Sequence, residues 1–65
     1  MKLNNREYTG FREGMTIQDV ITDSRFTWPN LVVVLNGKVI RPEDYDATVV
    51  DGRDDLQVIH LLAGG

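Results

Sequence analysis

Residues 31–40 constrain this chain more than any other stretch. Leu31-Val32-Val33-Val34-Leu35 is an unbroken apolar run with three β-branched residues, and branched side chains fit a pleated surface better than a helix. Asn36-Gly37 follows at once, and Lys38-Val39-Ile40 comes next. Asn and Gly both tolerate positive φ, so the pair between two apolar runs predicts a tight primed hairpin turn. A chain with this hairpin at its middle must build a sheet, and 65 residues leave material for one small core. There is no cysteine, which excludes disulfides and thiolate metal sites. The single histidine, His60, could hold a metal only together with carboxylates. Stability must therefore come from an economical arrangement of sheet and helix.

The remaining elements follow from local chemistry. Met1-Lys2-Leu3-Asn4 and Tyr8-Thr9-Gly10-Phe11, parted by the polar Asn5-Arg6-Glu7, predict a first hairpin. Thr16 stands where an N-cap belongs, with Asp19 three positions later as an acidic capping-box partner. Ile17, Val20 and Ile21 then make one apolar helical stripe, while Gln18, Asp19, Thr22 and Asp23 take the solvent side; the helix should fade near Ser24 or Arg25. Thr27-Trp28-Pro29-Asn30 reads as a loop, because the residue before proline is pushed out of helical geometry, and Trp28 should pack near the helix end. Residues 42–46 form a short acidic connector, Asp51-Gly52 a turn, residues 56–61 a last strand, and residues 62–65 a flexible tail. The order is strand, strand, helix, strand, strand, connector, strand. One helix with one apolar stripe must cover one face of one sheet, an α+β arrangement with a single domain over residues 1–61.

Charge narrows the partners. The net charge is −3, and the cations Lys2, Arg6, Arg12, Arg25, Lys38, Arg41 and Arg53 are scattered, whereas a nucleic-acid binder needs a clustered positive field. The longest apolar run falls far short of the roughly 20 residues that cross a bilayer, and Met1-Lys2-Leu3 running into Asn4-Asn5-Arg6-Glu7 does not read as a signal peptide. These features lead us to expect a cytoplasmic protein with a protein partner, bound neither to nucleic acid nor to a membrane. Glu43, Asp44, Asp46, Asp51, Asp54 and Asp55 lack the spacing of a calcium loop and read as a solvated face, with a steering role toward a basic partner. No triad pattern accompanies His60, which reads as a strand-edge or interface side chain. No phosphate-binding or dinucleotide fingerprint is present, so no cofactor is expected on the chain itself.

Strand alternation divides the apolar residues into two sets. Leu56 and Val58 share one face with the core; Gln57, Ile59 and Leu61 share the other. In the middle strand Val33 and Leu35 oppose Val32 and Val34. The set left uncovered by the helix, Val32, Val34, Ile59 and Leu61, with Leu62 continuing toward the tail, is expected to form a partner-docking patch.

Several of these residues resemble a known family. Leu35-Asn36-Gly37-Lys38-Val39-Ile40, then Arg41-Pro42-Glu43-Asp44-Tyr45, then Asp51-Gly52 before the last strand and Ala63-Gly64-Gly65 at the end are similar to the ubiquitin-like β-grasp family, and within it to the ThiS sulfur carriers of thiamine biosynthesis. The matches span about the second half of the chain. The resemblance implies a mixed sheet of four to five strands, with the first and last strands parallel and central. The related MoaD carriers of molybdopterin synthesis share the Gly-Gly end but commonly approach it through a proline, which Ile59-His60-Leu61-Leu62 lacks.

A Gly-Gly end has its own chemistry. Gly65 presents a carboxylate with no side chain beside it, and Ala63 and Gly64 are thin enough to thread a narrow channel. A carboxylate is a poor acyl donor until it is given a better leaving group. The resemblance implies that a ThiF-like adenylating enzyme, using ATP and magnesium, makes the acyl-adenylate on Gly65. A sulfur-donating enzyme would supply the sulfur of the thiocarboxylate, and a ThiG-like thiazole synthase would receive it. The chain is then a carrier and a substrate, not an enzyme. A MoaD-like carrier, a ubiquitin-like interaction module with an inert tail, and a modifier conjugated through Gly65 are the competing readings.

Overall fold

The computed structural model describes residues 1–26 and 30–61. β1 (Lys2–Leu3) and β2 (Arg6–Glu7) pair antiparallel. This hairpin is tighter than the sequence predicts, with Arg6–Glu7 rather than Tyr8-Thr9-Gly10-Phe11 as its second strand. Asn4 and Asn5 lie at φ 53° and 69°. Asn enters the left-handed region more readily than other side chains, so the two asparagines close a two-residue loop by themselves. Arg6 and Glu7 become strand despite their polarity because they form an exposed edge.

The helix α1 (Ile17–Asp23) starts as expected. The Asp19 N–H donates to Thr16 Oγ1 at 3.2 Å and the Thr16 N–H to Asp19 Oδ2 at 3.0 Å, which closes the capping box. Ile17, Val20 and Ile21 are buried. At the other end Arg25 takes φ 59°, its N–H reaching Thr22 O at 3.2 Å and that of Phe26 reaching Ile21 O at 3.1 Å. These two bonds satisfy carbonyls that the last turn would otherwise leave open. The expected loop at Thr27-Trp28-Pro29 and the packing of Trp28 lie outside the described residues.

β3 (Leu31–Leu35) and β4 (Lys38–Ile40) form the hairpin around Asn36-Gly37, with Asn36 at φ 51° and Gly37 at φ 84°. A single 3-10 turn (Pro42–Asp44) follows. The turn at Asp51-Gly52 closes with the Asp54 N–H on Asp51 O at 3.0 Å. Asp54 is not merely a solvated acid, as the charge pattern implies. Its carboxylate accepts from the Asp51 N–H at 2.7 Å and from Asn36 Nδ2 at 2.9 Å, joining two turns. β5 (Asp55–His60) begins one residue earlier than expected, because Asn36 exchanges hydrogen bonds with the Asp55 backbone: Asp55 N–H to Asn36 Oδ1 and Asn36 N–H to Asp55 O, both 2.8 Å.

The strands form one mixed sheet in the order β2-β1-β5-β3-β4, with β1 parallel to β5 and the other pairs antiparallel. This is the β-grasp arrangement, with β5 in the middle. The helix covers one face. Ile17, Val20, Val33 and Leu56 are completely buried, and Met1, Met15, Ile21, Tyr45, Val50 and Val58 complete the core around them. Each such aliphatic side chain contributes about 1.5–3 kcal/mol by leaving water. Among the described residues no helix is long and apolar enough to cross a membrane.

Candidate docking face beside the carboxyl end

Register decides what stands on the sheet's uncovered face. Directly opposed residues in a sheet point to the same side. Val33 pairs with Val58 and Leu35 with Leu56, and the burial of Val33, Leu56 and Val58, with Leu35 packed against them, marks that side as the one beneath α1. The alternate positions therefore face away from the helix. There Val32 pairs with Ile59, Val34 with Gln57, and Val34 with Val39 on its other flank. Val32 and Val34 are half-buried between their neighbours, whereas Ile59, Leu61 and Val39 are 44%, 55% and 63% exposed.

The structure thus brings Val32, Val34 and Ile59 together on the open face, and Leu61 follows Ile59 at the same alternation. Leu62, Ala63, Gly64 and Gly65, the other residues singled out in the sequence, lie outside the described residues. Sequence reasoning misses Val39. The signal for it is present: a two-residue Asn-Gly loop places Leu35 opposite Lys38 and hence Val34 opposite Val39. Toward β1 and β2 the same face turns polar, where Lys2 stands in register between Glu7 and Asp55.

His60 belongs to the other side of the sheet, in register with Leu31. Its ring meets that of Phe26 edge-to-face, with centroids 5.4 Å apart and planes at 71°. Phe26 in turn packs against the core. One residue further, the Leu61 N–H donates to Asn30 O at 2.9 Å and extends the β3–β5 ladder past the strand itself.

Titratable groups offer no assembled catalytic centre among the described residues. Burial, followed by the hydrogen bond and charge of Asp23, pushes the Tyr8 phenol up to about 12, and burial raises Tyr45. Both phenols pack at the core and not on the open face. Among the described residues no three His, Asp or Glu side chains converge as a metal would need, and no buried side-chain nitrogen or oxygen lacks a hydrogen-bond partner. What the site offers chemically is an apolar surface on the strand that precedes Gly64-Gly65 in the chain.

The model of the ThiS family matches residues 3–65. The chain belongs to the ThiS family. Its fold resembles the crystal structure of the thiamine biosynthesis protein ThiS from Geobacter metallireducens, with a TM-score of 0.82 at 23% identity, over 98% of this chain and 96% of that one. The solution structure of a thiamine biosynthesis protein from the same organism gives a TM-score of 0.78 at 24% identity, over 98% and 85% of the two chains. At such identities the likeness speaks for the fold. No match is found among curated protein sequences. For a ThiS-family chain the position of β5 is consequential: the central strand, held on both flanks by hydrogen bonds, is the one that leads to the paired glycines.

Proposed function

We propose that this protein is a cytoplasmic sulfur carrier whose working group is the carboxylate of Gly65, serving formation of the thiazole of thiamine. The observation that carries this reading is the family match, which runs through the Gly64-Gly65 pair. A ThiF-like enzyme binds the open face at Val32, Val34, Ile59 and Leu61, contacts Leu62 next in the chain, and draws Ala63 and Gly64 into its active site. A Gly65 carboxylate oxygen attacks the α-phosphorus of ATP, held there with magnesium, and pyrophosphate leaves. Hydrosulfide from a sulfur-donating enzyme then attacks the acyl carbon. AMP leaves with the original oxygen and a proton is released, so the thiocarboxylate forms with no change in oxidation state. A ThiG-like synthase is the acceptor. The carrier binds no cofactor of its own; ATP and magnesium belong to the partner.

Geometry bounds the partner. Residues 62–65 can span at most roughly 14 Å when fully extended, so the α-phosphorus must lie within about that distance of the docked body.

The test is intact mass. Mixed with a ThiF-type enzyme, ATP and magnesium, the chain is expected to gain one AMP; added sulfide should then exchange one oxygen for one sulfur. Deleting Gly65 should abolish both changes and leave the melting temperature in place, since a chain end buries little. Loading that survives the deletion would rule out the terminal-carboxylate mechanism. An isopeptide adduct would mark a modifier instead, and no mass change an interaction module. Transfer to a molybdopterin-synthase large subunit but not to a thiazole synthase would select the MoaD-like alternative.

A further inference from the structure

We propose that His60 is a positioning residue, whose packing against Phe26 fixes the end of β5, to which the carrier segment is joined, and so favours capture of that segment by the activating enzyme. This inference rests on the carrier reading above and assigns a residue to it on the side of the sheet opposite the docking face.

Support along β5 is uneven. The first hairpin pairs with Asp55 and Leu56 through β1. Beyond β1 the Asn4 carboxamide replaces a strand, its Nδ2 donating to Val58 O at 3.3 Å and its Oδ1 accepting from the Val58 N–H at 2.8 Å. That hairpin therefore supports β5 as far as Val58. On the other flank β3 pairs with Leu56 through His60, and the Leu61 N–H bond to Asn30 O carries this ladder one residue further. At the last strand position the ring contact with Phe26 adds a side-chain hold. Phe26 is a firm anchor, because its N–H caps α1 through Ile21 O at 3.1 Å and its ring packs on the core.

The shortness of the carrier end makes this hold matter. Leu62-Ala63-Gly64-Gly65 is only one short segment, and with a reach of at most roughly 14 Å a displaced starting point cannot be compensated by slack. Two of those four residues have no side chain, so little binding energy is available to correct a misplaced approach. Fixing the end of β5 in advance lowers the cost of capture, as preorganisation does in general. Such an effect acts on association of the carrier and not on the chemical step.

Steady-state adenylation separates these. The full chain is varied against a ThiF-type enzyme with ATP and magnesium, and pyrophosphate release is followed. His60→Ala is expected to raise KM for the carrier roughly three- to tenfold, the scale of an aromatic pair, with kcat unchanged. His60→Phe, which keeps a ring against Phe26, should return KM to the native range. Phe26→Leu, which keeps an apolar side chain on the core, should raise KM as His60→Ala does. Circular-dichroism melts accompany each variant, and if His60→Ala does not fold, the other two variants decide. An unchanged KM for a folded His60→Ala, a fall in kcat at constant KM, or failure of His60→Phe to rescue overturns the proposal. A native chain that accepts no AMP removes the carrier reading, and this inference falls with it; the two failures are distinguished by the native control.

Discussion

The Tyr8 hydroxyl donates to Asp23 Oδ2, tying the segment after the first hairpin to the last turn of α1. Gly10 makes room for the pair: a Cβ there would lie 2.7 Å from Asp23 Oδ2 and 2.9 Å from the Tyr8 ring. Desolvation, then the bond to Asp23 and its charge, raise the phenol from 10.0 to about 12. A folded-state pKa above the unfolded one means that the native state holds the proton more tightly. This contribution to stability is complete below about pH 10 and is lost as pH rises through about 12. Denaturant midpoints should accordingly fall over that interval. Tyr8→Phe should cost about 1 kcal/mol at neutral pH, the scale of one hydrogen bond, and show a shallower alkaline fall. Some slope should remain, because burial raises Tyr45 in the same direction. An alkaline fall as steep in the variant as in the native protein would rule out Tyr8 as its source. Nothing near Tyr8 in the sequence announces Asp23; the pair exists only because the hairpin and helix dock.

The two ends of α1 show how far an element can be read from its own residues. The N-terminal cap uses Thr16 and Asp19, both within one turn, and the expected box is present with both bonds made. The C-terminal end uses a left-handed Arg25, for which the sequence carries no glycine signal. An L-residue in that conformation is strained by roughly 1–2 kcal/mol, part of which glycine gives back through backbone entropy. Arg25→Gly is therefore expected to stabilise the protein by about 0.5–1 kcal/mol, a rise in melting temperature of about 2–8 °C for a domain of this size. An unchanged or lower melting temperature would show that the Arg25 side chain compensates for its backbone. The first hairpin makes the same point. Sequence pattern puts Asn4 at the end of a strand and Asn5 in a polar break, yet their shared tolerance of positive φ makes them the turn itself.

For the molecule as a whole, two neighbouring residues of β5 belong to different environments. Val58 is buried beneath the helix and Ile59 is exposed on the open face. A domain of this length has about 3–10 kcal/mol of stability, and a carboxylate buried without a partner costs several kcal/mol. Val58→Asp should therefore unfold the chain. Ile59→Asp should leave the melt nearly unchanged and weaken binding to a ThiF-type enzyme by about tenfold or more, the scale of a lost central contact. Calorimetric titration of the folded Ile59→Asp protein checks this. Binding at native strength would remove the open face from the proposed interface.

What the sequence by itself determined was short in range. The Asn36-Gly37 hairpin, the Thr16 cap, the Asp51-Gly52 turn and the alternation along β5 depend on residues a few positions apart, whose conformational preferences act before any tertiary contact forms. The chemistry proposed for Gly65, with Ala63 and Gly64 beside it, rests on the resemblance to the ThiS family and on the family match that runs through the paired glycines. Tertiary structure decided the rest. It placed β5 between β1 and β3, set the Asn4 carboxamide against Val58 and the Asn36 carboxamide against Asp54 and Asp55, added Val39 to the open face, and brought His60 onto Phe26. These are pairings between residues distant in the chain. They arise because backbone groups and apolar surface must be satisfied together when the sheet closes beneath its helix, a requirement that no local window of residues expresses.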